Sequence, residues 1–185
     1  MVRVIGGSAR GRALKAPKDE RPTLGRVRQT LFDILAAGLG GTRFLDLFAG
    51  SGAVGIEALS RGAERATFIE ANPYNADLIR ENLLRCGFSE MGEVICAEVE
   101  RALPRLAQRG EQFQIAFLDP PYQDLASLER ALKILAEGPD LLFPGGMIIV
   151  QRSRRKQIEG SPSSLEVFDS RSIGESALDF FRKRE

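Results

Sequence analysis

Apolar side chains recur along the chain in two alternating periods. Val27, Leu31, Ile34 and Leu35 stand three and four apart, the spacing that gathers side chains on one face of a helix. Thr23 is a candidate N-cap for that helix, and Gly38, Gly40 and Gly41 mark its end. Phe44 to Leu47 then reads as a short strand, followed by a glycine-rich turn from Ala49 to Gly55 and a helical stretch through Leu59 that ends near Gly62. Ala66 to Ile69 predicts the next strand, which ends in Glu70. Pro73 opens a helix with Leu78, Ile79, Leu83 and Leu84 on its apolar side, and Gly87 closes it. Further along, Val94 to Cys96, Ile115 to Leu118 and Met147 to Val150 predict strands, separated by helices over Glu100 to Gln108 and Leu125 to Leu135.

A βαβαβαβαβ rhythm of this kind implies an α/β fold, a mostly parallel sheet with helices on both faces and right-handed crossovers. After Lys156 the rhythm changes. Leu165 to Phe168 and Ala177 to Phe181 have no helix between them, only Ser172, Ile173 and Gly174, so they predict a terminal antiparallel pair. With 185 residues the chain is long enough for one ordinary domain and short for two. The expected division is a basic N-terminal β arm over residues 1–22 and a single catalytic domain over residues 23–185. Gly6, Gly7 and Gly11 in the arm permit a tight turn and a close backbone approach to another molecule.

Charge sharpens that division. The first 28 residues hold Arg3, Arg10, Arg12, Lys15, Lys18, Arg21, Arg26 and Arg28 against Asp19 and Glu20, a charge of +6. The whole chain carries only +1, so the remainder sums to −5 despite a second basic cluster at Arg152, Arg154, Arg155 and Lys156. Segregated charge suits a protein whose edge meets a polyanion, although a solvated basic tail has the same composition. The chain has no histidine, which excludes every imidazole-based mechanism and every His-ligated metal. Cys86 and Cys96 lie ten apart with no CxxC pattern, against a zinc site or a disulfide framework; no metal is expected. No apolar run approaches the roughly 18 residues of a membrane span, and Met1 to Arg12 lacks the apolar stretch of a signal peptide. A cytoplasmic location is the expectation.

The glycines of Asp46-Leu47-Phe48-Ala49-Gly50-Ser51-Gly52-Ala53-Val54-Gly55 fall at the carboxyl end of the first long strand, where an open α/β sheet binds its ligand. Gly50, Gly52 and Gly55 satisfy GxGxxG by spacing, a pattern that would equally suit a dinucleotide. Asp46 adds a carboxylate beside the turn, which favours a ligand with a cationic end. Glu70, ending the second strand, is placed to accept both hydroxyls of a ribose. Each has a structural alternative: Asp46 as a cap of the turn, Glu70 as part of a helix cap with Asn72.

Asp119-Pro120-Pro121-Tyr122 follows the strand Ile115 to Leu118 and so faces the same crevice. Its two prolines lock φ and remove two N–H donors. A carboxylate from Asp119 and the Pro120 carbonyl could accept both hydrogens of a planar exocyclic amine while Tyr122 stacks on its ring. Accepting both hydrogens raises electron density on an otherwise delocalised nitrogen and holds it in line with an electrophile. A plain structural Pro-Pro turn is the alternative.

The pairing of Asp46-Leu47-Phe48-Ala49-Gly50-Ser51-Gly52 with Asp119-Pro120-Pro121-Tyr122 resembles the S-adenosylmethionine-dependent methyltransferases that modify exocyclic nitrogens of bases. Arg3-Val4-Ile5-Gly6-Gly7, Gly11-Arg12 with Leu14, Arg21-Pro22-Thr23, Arg26-Val27-Arg28 and Leu31-Phe32 resemble more narrowly the bacterial small-subunit ribosomal RNA guanine-N2 methyltransferases, the RsmD family. The resemblance covers nearly the whole chain and implies a Rossmann-like class I methyltransferase fold with a seven-stranded sheet. It implies S-adenosyl-L-methionine as cofactor, 16S rRNA as partner, free or within the small ribosomal subunit, and action as a monomer. Position by position, it assigns Asp46, Phe48, Gly50 and Gly52 to the methionine part of the cofactor, Glu70 to its ribose and Glu98 to its adenine amine, with Ala49, Ser51, Ala71 and Val99 also in the cofactor site. Glu98 stands where the family usually has an aspartate. Asp119, Pro120, Pro121 and Tyr122 would bind and activate the target amine. Arg3, Arg10, Arg12, Lys15, Arg21, Thr23, Arg26, Arg152 and Arg154 would meet RNA, with Thr23 and Arg26 alternatively closing over the cofactor. Gln151, where glutamate is usual, and Ser172, where an aromatic is usual, depart from the family pattern. Three rivals share parts of this description: a DNA adenine-N6 methyltransferase, an NAD-dependent oxidoreductase and a non-catalytic RNA-binding assembly factor.

Overall fold

A computed structural model describes residues 2–17, 25–121, 124–158 and 161–184. Among them, β3 (Arg43–Leu47), β4 (Arg65–Glu70), β5 (Gly92–Cys96), β6 (Phe113–Leu118), β7 (Leu142–Ser153), β8 (Leu165–Ile173) and β9 (Ser176–Lys183) form one seven-stranded sheet in the order β5-β4-β3-β6-β7-β9-β8. Pairing is parallel from β5 to β7 and antiparallel where β9 enters between β7 and β8. The expected fold is therefore present, a Rossmann-like α/β sheet closed by an antiparallel pair. Its helices are α1 (Gly25–Leu35), α2 (Ala53–Ser60), α3 (Pro73–Cys86), α4 (Val99–Gln108) and α5 (Leu125–Glu137). The first three pack on one face of the sheet and the last two on the other, each face with its own apolar core.

Local chemistry sets these elements. Asn72 caps α3 by accepting N–H bonds from Tyr74 at 2.9 Å and Asn75 at 3.5 Å, with Pro73 in the first turn, the arrangement that satisfies orphan amides while Pro presets φ. A Cβ on Gly55 would stand 2.3 Å from the Phe68 ring, so α2 lies against β4 at a distance that only hydrogen permits.

Four sequence expectations are corrected. Ile34 is 38% exposed, because the buried arc of α1 runs through Val27, Arg28, Leu31, Phe32 and Leu35 and leaves Ile34 on its rim. Leu84 is 72% exposed, since α3 turns Leu78, Ile79, Asn82, Leu83 and Cys86 inward. Strand β7 begins five residues earlier than Met147, because Phe113 pairs with Leu142 and Ile115 with Met147; Pro144, Gly145 and Gly146 are absorbed as a bulge, which hides a strand from a pattern-based reading. Strand β8 runs on through Asp169 to Ile173; as an edge strand it carries polar residues, and it leaves Val167 and Phe168 exposed.

The N-terminal segment forms the hairpin of β1 (Val2–Arg3) and β2 (Ala13–Leu14). Gly6 and Gly7 approach this chain's own α2 and the Arg61 that caps it, whereas Gly11 faces open space. Gly7 has φ +74, and a Cβ there would lie 1.7 Å from the Ser60 carbonyl oxygen, so glycine is required both by conformation and by space. Ser8 donates its N–H to that carbonyl at 2.7 Å, Ala9 donates to Ser60 Oγ at 2.9 Å, and Ser60 Oγ donates to Gly6 O at 2.6 Å. Val2, Val4, Ala9 and Leu14 join the core under α1, α2 and α3.

Candidate active site

Register brings the candidate residues to one edge. Leu47 pairs with Ile69 on one side and Leu118 on the other, so the next residues, Phe48, Glu70 and Asp119, stand abreast at the carboxyl ends of β3, β4 and β6. Glu70 is in turn paired with Cys96 at the end of β5. The onward connections of the neighbouring strands β3 and β6 leave in opposite directions, to β4 and to β7, which makes the gap between them the topological switch point at which such sheets bind ligands.

The turn after β3 is tightly specified. Phe48 holds φ +61, a left-handed conformation uncommon for a side chain of this kind. Gly52, at φ +73, donates its N–H to Ala49 O at 2.7 Å. Asp46 is buried, and its Oδ2 accepts the Gly55 N–H at 2.8 Å; it ties the strand to the first turn of α2. Glu70 Oε2 accepts the Gly50 N–H and its Oε1 the Asn72 N–H, both at 2.8 Å. Two backbone amides therefore fix this carboxylate, and each oxygen retains a further lone pair for another donor.

Glu98 is the N-cap residue of α4, its carboxylate making no capping bond and exposed at the end of β5. Val99 buries its side chain in the core beneath α4, so it can offer a ligand only backbone groups. Ala71 is exposed, and its carbonyl accepts the Cys96 Sγ–H at 3.8 Å. Ser51 is buried behind Gly50, with its carbonyl turned to α3, where Asn82 Nδ2 donates to it at 3.0 Å.

Asp119 is partly buried, its N–H directed at Leu47 O at 3.5 Å. Pro120 is buried and Pro121 exposed. The turn's carbonyls are not all outward: Pro121 O accepts the Asp124 N–H at 2.8 Å, and Asp124 caps α5 through Ser127 N at 3.1 Å. Tyr122, Arg21 and Thr23 lie outside the described residues.

The basic candidates divide. Arg10, Arg12 and Arg26 are exposed, with Arg12 donating to Arg85 O. Arg3 donates to Gly11 O at 2.9 Å, bracing the hairpin, and Lys15 pairs with Glu81 at the surface. Arg154 is exposed. Arg152 differs: its guanidinium meets both oxygens of Asp179 and donates to Lys156 O at 2.9 Å. That fork ties β7 to β9 and to the turn that follows β7, so Arg152 braces this end of the sheet. Two residues went unread in the sequence. Glu57 is fully buried on α2 and accepts N–H bonds from Ile5 and Gly6, both at 2.7 Å, and from Arg61 Nε at 2.8 Å. Asn82, fully buried on α3, holds Lys15 and Ser51. The one available signal was a polar side chain inside an apolar helical stripe.

Among the described residues no group of three or more His, Cys, Asp or Glu could hold a metal, and no helix is long and apolar enough to cross a membrane. A groove of about 450 Å³ runs along α5 between Glu129, Arg130, Lys133, Glu137 and Pro162; none of the candidate residues lines it.

A doubly wound sheet with a glycine turn between two carboxylate-bearing strand ends at its switch point is the arrangement of Rossmann-like methyltransferases. The family model described as conserved hypothetical protein 95 matches residues 2–182, and the chain belongs to that family. It is 40% identical to the ribosomal RNA small subunit methyltransferase D of Haemophilus influenzae over 85% of this chain and 81% of that protein. With the protein of the same name from Escherichia coli K12 the identity is 34%, over 98% and 90%. The solved structure of a hypothetical protein from Thermus thermophilus superposes with a TM-score of 0.83 at 39% identity, covering 97% of this chain and 98% of that one.

Proposed function

We propose that this protein transfers a methyl group from S-adenosyl-L-methionine to the exocyclic N2 of a guanine in small-subunit ribosomal RNA. The observation that carries the reading is the alignment of Glu70 and Asp119 on either side of Phe48 at the switch point. Two relatives bearing the name ribosomal RNA small subunit methyltransferase D, matched over most of their length, support the choice of RNA.

The donor set fits the cofactor. Glu70, held by the Gly50 and Asn72 amides, presents free lone pairs to two ribose hydroxyls, and the exposed Glu98 carboxylate reaches an adenine amine. When bound, S-adenosylmethionine supplies an electrophilic methyl on a sulfonium. Asp119 and the Pro120 carbonyl accept the two hydrogens of the guanine amine, aim its lone pair at the crevice, and Asp119 or solvent takes the proton that is lost. Tyr122 supplies the stacking surface for a base splayed out of its helix. Arg10, Arg12, Lys15, Arg26 and Arg154 hold phosphates, so affinity for RNA falls steeply with salt.

Cys96 gives a direct check of the cofactor's position. It is exposed beside Glu70, whereas Cys86 is buried. Burial pushes the Cys86 thiol up, against a smaller opposing pull from Arg12, which disfavours the reactive thiolate. Iodoacetamide is therefore expected to label Cys96 first, and saturating S-adenosylhomocysteine to slow that labelling while NAD does not. Labelling at an unchanged rate with S-adenosylhomocysteine demonstrably bound would remove the cofactor from this edge.

A further inference from the structure

The buried side chain of Asn82 joins the basic hairpin to the glycine turn. Asn82 Oδ1 accepts the Lys15 N–H at 2.8 Å, and its Nδ2 donates to the Lys15 carbonyl at 2.9 Å and to the Ser51 carbonyl at 3.0 Å. Ser51 adjoins Gly50, whose N–H is held by Glu70 at 2.8 Å. A path of hydrogen bonds and the backbone of two residues, Gly50 and Ser51, thus runs from the arm, through α3, to the carboxylate proposed to hold the ribose. Asn82 is 0% exposed and Ser51 2%, so water cannot easily substitute for these bonds.

Only a carboxamide serves here. It accepts one N–H and donates two at the same site. Aspartate keeps the accepted bond and loses both donations, and an apolar residue makes none of the three bonds. The arm is also gripped elsewhere, by Glu57 and Ser60 on α2, but those bonds do not reach the turn. On the outer side the Lys15 ammonium pairs with Glu81 at half-exposed positions, where an RNA phosphate would compete for it. A phosphate drawing on Lys15 therefore acts on a residue whose backbone is already clamped to the turn.

We propose that Asn82 is a positioning residue that couples the arm to the cofactor turn, so that RNA on the arm and cofactor in the crevice strengthen each other's binding. The inference rests on the function proposed above. Linkage makes the coupling reciprocal: whatever factor RNA adds to cofactor affinity, cofactor adds to RNA affinity.

The test measures the dissociation constant of S-adenosylhomocysteine by calorimetry with and without saturating in vitro transcribed small-subunit ribosomal RNA. The parent protein is expected to bind S-adenosylhomocysteine about tenfold more tightly with RNA present, within the ordinary range of such couplings. In Asn82→Asp and Asn82→Ser that ratio falls to about one, while each ligand alone still binds. A purely structural Asn82 would lower the melting temperature and leave the ratio intact, which overturns the proposal. A second measurement needs no variant: S-adenosylhomocysteine without RNA is expected to slow hydrogen exchange of the Lys15 amide, read by NMR. No slowing, together with a ratio near one in the parent, overturns the coupling while leaving the methyltransferase reading standing. Failure of the parent to bind S-adenosylhomocysteine at all is a different result; it removes the functional reading and this proposal with it.

Discussion

Asp119→Ala lowers the rate of methyl transfer by about 10²- to 10³-fold, as removal of one preorganised polar group from a reacting centre does, and leaves S-adenosylhomocysteine affinity unchanged. The two effects separate because of where Asp119 stands. It follows β6, across Phe48 from Glu70, on the side of the turn proposed for the target amine and away from the side proposed for the ribose. The substitution deletes an acceptor for one of the amine's hydrogens and leaves the Gly50–Glu70 bond untouched. Single-turnover rates with labelled cofactor, alongside calorimetry for S-adenosylhomocysteine, check it. A rate within twofold of the parent's, or an equal loss of rate and of cofactor affinity, contradicts the assignment of Asp119 to the amine.

The second large effect is on stability. Glu57→Ala is expected to cost about 3–5 kcal/mol, the penalty for breaking a buried charge cluster by removing one partner. The Glu57 carboxylate has no exposed side-chain surface; Arg61 Nε lies 2.8 Å from one oxygen and Arg28 Nε 3.8 Å from the other. The same oxygens take the Ile5 and Gly6 amides. Deleting them strands two backbone donors and leaves the Arg28 guanidinium, 4% exposed, without its carboxylate. In a chain of this size the loss corresponds to a fall of roughly 10 °C in melting temperature, which calorimetry reads directly. Because Glu57 fastens the arm to α2, the RNA affinity proposed for the arm is expected to fall as well. A melting temperature within about 2 °C of the parent's would show that the hairpin is held without the Glu57 carboxylate.

The parallel part of the sheet was legible because its helices and strands follow the two backbone periods without interruption. The switch-point edge followed from it, since strand ends are where such a sheet offers a crevice. Less legible were the places where chain-distant groups decide the structure. Strand β7 is broken in the sequence by Pro144, Gly145 and Gly146 and is recovered only through its pairing with β6. Arg152 looks like a surface cation until Asp179, 27 residues away, claims its guanidinium. The arm's glycines suggested approach to another molecule, yet Gly7 is pressed on Ser60. Glu57 and Asn82 showed in the sequence only as polar side chains inside apolar helical stripes, because their partners in the arm lie 51 to 67 residues away. Local periodicity carried the fold and the position of the crevice, while the docking of the basic segment was fixed by buried polar bonds that no local window contains.

The central claim is the product. Purified protein incubated with isotope-labelled S-adenosylmethionine and small ribosomal subunits lacking the modification, followed by digestion of the RNA and mass spectrometry of the nucleosides, is expected to yield labelled N2-methylguanosine. Label on any other nucleoside, or none at all from protein that demonstrably binds S-adenosylhomocysteine, would contradict it.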